Sequence, residues 1–304
     1  MIEKVVNFLT VDVEDYFQVE GFQGSLTEAD WEQYEIRFPR GLEWLLQILD
    51  SARIKATFFI LGWIAEHCRP LVRDIDRRGH EVASHGYRHN LISGMKPEDY
   101  RKDLLLSKDL LEDITGTPVI GHRAASYSII RETLWALDVL IEEGFLYDSS
   151  IFPIRHDLYG IPDAKRFPHV IERSGGSIIE FPPSTYPLLG QQIPVAGGGY
   201  LRLFPSRLTR AAIKRINEKE KNLAVVYCHP WEIDTSQPRL NGKWKSMLRH
   251  YINLDTTMPK LRGLLEEFKF RPFGDLLRDG GLSLPTSCPA GISGPGQKIS
   301  GSAN

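Results

Sequence analysis

The chain has 304 residues, 42% hydrophobic and 25% charged, with 37 Lys+Arg against 39 Asp+Glu for a formal net charge of −2. That length buries the core of one large α/β domain or two ordinary ones. The near-neutral balance excludes a general attraction to nucleic acid or to an anionic membrane.

In chain order, residues 5–11 read as a strand ending in acids, and residues 41–52 as a helix with Leu42, Leu45, Leu46 and Leu49 on one face. Residues 56–61 form an apolar strand, followed by a helix through about Arg78 and a short strand over 81–84. Pro97 opens a long amphipathic helix, 98–115, which Gly116 ends. Further strand and helix patterns follow at 119–122, 132–143, 146–148, 178–181, 206–219 and 223–229. The alternation predicts a mostly parallel sheet, open or closed as a barrel. Asp12, His85, Arg123, Asp148 and His229 all fall at strand carboxyl ends, where such folds place active sites, and five ends contributing to one place favour a barrel.

Residues 152–205, rich in Pro, Gly and aromatics, read as long loops. Residues 283–304, dominated by Ser, Gly and Pro, read as a disordered tail behind a single domain spanning 1–282. Cys68, Cys228 and Cys288 are odd in number and far apart, so neither a disulfide framework nor a cysteine-zinc site is indicated. The N-terminus lacks a signal-peptide pattern, and no apolar run reaches transmembrane length. The expectation is a cytoplasmic protein, with periplasmic or membrane-associated action left open and the oligomeric state unassigned.

The stretch Gly79-His80-Glu81-Val82-Ala83-Ser84-His85-Gly86-Tyr87-Arg88-His89 sets two histidines four apart after a short strand. On one face of a helical turn, both imidazoles would converge on a point and supply half of a tetrahedral metal shell. Thr10-Val11-Asp12-Val13-Glu14-Asp15 places three acids within four residues, costly beside an apolar strand unless a divalent cation neutralises them. Asp12 and Glu14 share one side of an extended chain, whereas Asp15 joins them only through a bulge or turn.

These segments resemble the polysaccharide deacetylases, the NodB-homology group of carbohydrate esterase family four, over roughly residues 5 to 280. The subgroup encoded with exosortase and exopolysaccharide loci is the most similar. The acid pair corresponds to Asp12 with Glu14 or Asp15, and the histidine motif to His85-Gly86-Tyr87-Arg88-His89. The arginine motif corresponds to Arg123-Ala124-Ala125-Ser126, the aspartate motif to Tyr147-Asp148-Ser149-Ser150, and the last histidine motif to Val226-Tyr227-Cys228-His229. The acids are spread out here, so the metal carboxylate is Glu14 or Asp15, with Glu14 favoured. Gly86 stands where a hydroxyl residue is usual, and Ala125 and Ser126 replace a proline and an aromatic.

The resemblance implies a distorted (β/α) barrel of mostly parallel strands that hydrolyses N-acetyl groups on a bacterial polysaccharide or oligosaccharide. It implies a divalent metal, zinc first with cobalt or nickel as alternatives, held by His85, His89 and one carboxylate. Asp12 is the implied general base, oriented by Arg123. The backbone N–H of Ser126 assists the oxyanion, and His229, held by Asp148, is the general acid. His80 is expected to shape the turn into its strand, and His67, His156, His169 and His250 to be surface or loop residues. Trp31, Tyr127, Tyr200, Trp231 and Trp244 are candidate sugar-stacking rings. The competing functions are hydrolysis of a non-sugar cyclic amide on the same fold and carbohydrate binding without catalysis.

Overall fold

The computed structural model describes residues 5–22, 26 and 28–280 of the chain; the predicted tail at 283–304 lies outside the described residues. The strands are β1 (Val6–Val13), β2 (Thr57–Ile60), β3 (Glu81–Ser84), β4 (Gly121–His122), β5 (Tyr147–Asp148), β6 (His169–Arg173), β7 (Gly176–Glu180), β8 (Thr185–Leu188), β9 (Gln191–Pro194), β10 (Val225–Cys228) and β11 (Lys269–Arg271). Interleaved with them are the helices α1 (Phe38–Ala52), α2 (Gly62–His67), α3 (Arg69–Arg77), α4 (Pro97–Thr115), α5 (Trp135–Glu142), α6 (Gly198–Leu203), α7 (Ser206–Lys214), α8 (Trp244–Tyr251), α9 (Thr257–Glu267) and α10 (Phe273–Arg278).

The main sheet runs β10-β1-β2-β3-β4-β5-β7-β6, with β11 paired to the start of β1. Every neighbour is parallel except β6 with β7. The chain that follows β7 reaches β10, at the other end of this order, through Ser184, whose N–H donates to Val225 O and whose Oγ accepts from Val225 N–H, and through a bridge from Gly197 to Tyr227. The result is the distorted barrel of mostly parallel strands that the sequence implies.

Several sequence expectations shift in detail. The helix expected through Arg78 breaks at Cys68 into α2 and α3, with Pro70 in the first turn of α3. α4 starts at Pro97 and ends on Gly116 in the left-handed region, matching its sequence signals. The segment 152–205, expected as loops, holds β6 to β9 and α6. Its β8–β9 hairpin turns on Leu189-Gly190, both at positive φ.

Registry decides what faces the barrel interior. Phe8 lies opposite Val225, Thr57 opposite Glu81, Phe59 opposite Ala83, and Tyr147 opposite Ile179. Phe8, Phe59, Ala83, Tyr147, Ile179, Phe181, Val225 and Phe273 form one buried cluster. Because side chains alternate along a strand, continuing this phase toward the carboxyl ends points Asp12, His85, Arg123 and His229 inward. Thus an apolar floor supports a polar upper layer. No helix among the described residues is long and apolar enough to cross a membrane.

Candidate metal and catalytic site

Glu14, His85 and His89 come together, one ligand-capable atom from each lying within 4.8 Å of the others, and all three are buried. The histidines do not achieve this on a helix, as the sequence spacing suggested. Residues 85–91 form an irregular loop in which Gly86 (φ 73°) and His89 (φ 55°) take left-handed conformations. A side chain at Gly86 would be strained at that φ and tight against Asp103, its Cβ 3.0 Å from Oδ2. The missing hydroxyl is replaced from elsewhere: Ser84 Oγ accepts from Gly86 N–H at 3.2 Å, and Asp103 Oδ2 accepts from Tyr87 N–H at 2.7 Å.

The donor set fits a cation. His85 Nδ1 lies 2.7 Å from the carbonyl oxygen of Arg123, so Nδ1 carries the proton and Nε2 presents a bare lone pair. Glu14 Oε1 accepts from the Trp231 indole at 3.1 Å. Its buried Oε2 has no aligned hydrogen-bond partner, although His89 Nε2 is only 2.8 Å away. A short contact without hydrogen-bond geometry suits two ligands aimed at a shared ion. Burial alone would raise the Glu14 carboxyl, but His89, His229 and His85 offset it and hold the group well below the usual carboxylate range. Burial pushes His85 down to about 4, keeping it neutral as a ligand must be.

Asp15 is not part of this cluster. Its Oδ2 accepts from the N–H groups of Arg37 (2.6 Å) and Phe38 (2.9 Å) at the start of α1, and its Oδ1 from Tyr16 N–H (2.8 Å). The carboxylate is spent on a helix N-terminus. Burial raises it to about 6 despite those three donors.

Asp12 lies beside the triad. Arg123, fully buried, donates from Nη1 to Asp12 Oδ1 at 2.6 Å and to Thr10 Oγ1 at 2.8 Å. Its Nη2 and Nε bind Ser149 Oγ and O, and its guanidinium lies 4.2 Å from the Phe59 ring centroid. Ser126 follows in a tight turn with φ 50°, and Tyr127 with φ 55°; two successive left-handed residues beside a site are a strained arrangement.

His229 approaches from β10, with Nε2 3.8 Å from Asp12 Oδ2 and 3.5 Å from Glu14 Oε1. The sequence reading paired it with Asp148, and the structure corrects this. Asp148 is one residue out of phase with the inward set: it pairs with His122 across β4–β5, and its oxygens bind His122 Nδ1 (2.8 Å), Ser150 Oγ (2.7 Å) and Ser150 N–H (3.0 Å). His229 Nδ1 instead meets Glu232 Oε2 at 2.9 Å. Burial works against charging His229, but Glu232, Glu14 and Asp12 raise it to about 9, while Glu232 itself is held at about 2.

Two residues, Glu232 and Arg202, escaped the sequence reading of the site, and a third, Trp231, plays another part in it than expected. Glu232 stands three after His229, a capping-box spacing that was legible. Trp231, expected as a sugar platform, is buried, stacked between His229 and His250, and bound to Glu14. Arg202, buried behind Glu232, carried no signal. Trp31 and Tyr127 are also buried, Tyr200 is half-buried, and Trp244 is exposed. His250, expected at the surface, is buried.

Residues 35–140 match the family model described as Polysaccharide deacetylase. That segment, about a third of the chain, is similar to that family. Residues 149–278 match a second model, described as a domain of unknown function (DUF3473). Among curated relatives, a peptidoglycan deacetylase-like protein of Gibberella zeae is 30% identical over 164 residues, 53% of this chain and 47% of that protein. A peptidoglycan deacetylase of Helicobacter pylori is 31% identical over 117 residues, 38% of each chain. The chain thus spans less than half the length of these relatives. Among solved structures, a Mycobacterium smegmatis protein assigned as a polysaccharide deacetylase superposes with a TM-score of 0.58 at 20% identity, covering 96% of this chain and 100% of that one. An allantoinase superposes with a TM-score of 0.57 at 16% identity, covering 91% of each. These likenesses show the fold alone.

Proposed function

We propose that the protein is a metal-dependent N-deacetylase of an N-acetylated bacterial polysaccharide, releasing acetate and a free amine. The observation that carries this is the convergence of Glu14, His85 and His89 beside the Arg123-bound Asp12 and the inward-facing His229. The named activities of the curated relatives support the choice of an N-acetyl sugar over another amide.

An amide carbonyl is a poor electrophile and neutral water a poor nucleophile. A divalent cation at Glu14, His85 and His89, zinc by the chemistry of two imidazoles and a carboxylate, would polarise the one and acidify the other. Asp12 accepts the proton of the attacking water, with Arg123 fixing its Oδ1 so that Oδ2 is presented to the reaction. The Ser126 turn presents backbone N–H to the developing oxyanion. His229 Nε2 delivers a proton to the amine nitrogen as the C–N bond breaks and its electron pair stays on nitrogen. An exopolysaccharide is the proposed polymer, consistent with the subgroup its motifs resemble.

The test is acetate release by metal-replete protein across a panel of N-acetylglucosamine oligomers and N-acetylated exopolysaccharides, with cyclic amides alongside. Acetate from at least one glycan is expected. Hydrolysis confined to a cyclic amide, or glycan binding with no acetate, overturns the reading.

A further inference from the structure

We infer that Glu232, backed by Arg202, is the positioning carboxylate for the general acid His229, and that the segment matching a domain of unknown function exists in part to build this acid. The inference rests on the deacetylase reading above and deepens it.

The geometry is specific. Glu232 Oε2 accepts from both His229 N–H (3.0 Å) and His229 Nδ1 (2.9 Å), so the ring is tied to its own backbone through one carboxylate oxygen. A carboxylate only accepts, so Nδ1 carries the proton and Nε2 is the atom turned toward Asp12 and Glu14. The other oxygen, Oε1, accepts from Arg202 Nε at 2.7 Å. Arg202 in turn donates to the carbonyls of His250 (2.7 Å), Ile252 (2.9 Å) and Arg249 (3.2 Å), which anchors the pair to the end of α8. Arg202 and Glu232 are both buried, and a buried ion pair is an expensive way to hold a turn that an uncharged cap would also close. Trp231 closes the arrangement, its ring 5.3 Å from that of His229 and nearly parallel.

Each participating residue, Arg202, His229, Trp231, Glu232 and the carbonyls of α8, lies within 149–278. The cation ligands Glu14, His85 and His89 lie outside that segment. The two halves of the chain therefore divide the reaction: the first binds the carbonyl side, the second protonates the leaving nitrogen.

The test is Glu232→Gln, assayed on an N-acetylglucosamine oligomer and on 4-nitrophenyl acetate, whose phenolate departs without a proton. The expected result is a kcat for N-acetyl hydrolysis lower by about 100-fold with KM within about threefold, an ester rate lower by less than about fivefold, and partial rescue by Glu232→Asp. Zinc binding by the variant checks that the fold persists. Equal losses on both substrates with zinc still bound, or no loss on either, would overturn the assignment. If wild-type protein cleaves no N-acetyl glycan, the functional reading fails, and nitrogen-15 NMR of the imidazoles still decides the positioning claim. A hydrogen-bonded Nδ1 proton, absent in His229→Gln and lost in Glu232→Ala, which removes the acceptor, is expected; an unprotonated Nδ1 in the wild type contradicts it.

Discussion

Arg123 Nη1 reaches Asp12 Oδ1 at 2.6 Å across a gap of 111 residues, with neither side chain appreciably exposed. Removing one partner of such a pair leaves an uncompensated buried charge. Arg123→Met should therefore cost about 3–5 kcal/mol of stability. Asp12→Asn keeps an acceptor for Arg123 and should lose at least about a hundredfold in turnover while still binding a cation. Chemical denaturation and acetate release, read on both variants, check this.

Asp15 and Glu14 are neighbours with opposite duties. Asp15→Asn should retain the cation and lose about 0.5–2 kcal/mol, the value of a helix-terminus acceptor. Glu14→Gln should abolish tight cation binding and spare most of the apo-protein's stability. Calorimetric titration beside thermal unfolding separates the two, and the opposite pattern would exchange their roles.

Gly41 lies where α1 crosses the turn after His229. A Cβ there would fall 1.9 Å from Pro230 O, so the two elements must part to admit it. Gly41→Ala should lose about 1–3 kcal/mol and, by moving Pro230, lower kcat more than KM. Unchanged kcat in a destabilised variant would mean that this contact does not position His229.

His80 is buried against Phe58, with Nδ1 accepting from Ala56 N–H, and burial holds it down at about 4 from a usual 6.5. The unfolded chain therefore binds the extra proton first. The ring's contribution is complete above pH 6.5 and lost as pH falls toward 4. In His80→Asn, which keeps an acceptor for Ala56, the wild-type stability advantage at pH 7 should shrink by on the order of 2–3 kcal/mol by pH 4. Denaturant midpoints of both proteins across that range test it; a constant difference would contradict it.

What the sequence disclosed follows from the range of the interactions involved. The ends of α4 were written in Pro97 and Gly116, and the shared side of Asp12 and Glu14 in the two-residue period of a strand. Asp148 was misread because β5 is two residues long, too short to reveal its phase, and only pairing with Gly121 and His122 shows that it faces away. The convergence of His85 and His89 was right for a wrong reason, since left-handed Gly86 and His89 do what a helical turn was expected to do. Arg202 meets Glu232 across 30 residues, a contact that no local pattern announces.

The most direct test of the central claim is the cation content of purified protein after saturation with zinc and removal of excess. One tightly held ion per chain in the wild type and in Asp12→Asn, and none in His85→Ala or Glu14→Gln, is the predicted result. A wild-type protein that is folded yet holds no ion, or a His85→Ala variant that holds one as tightly, would contradict it.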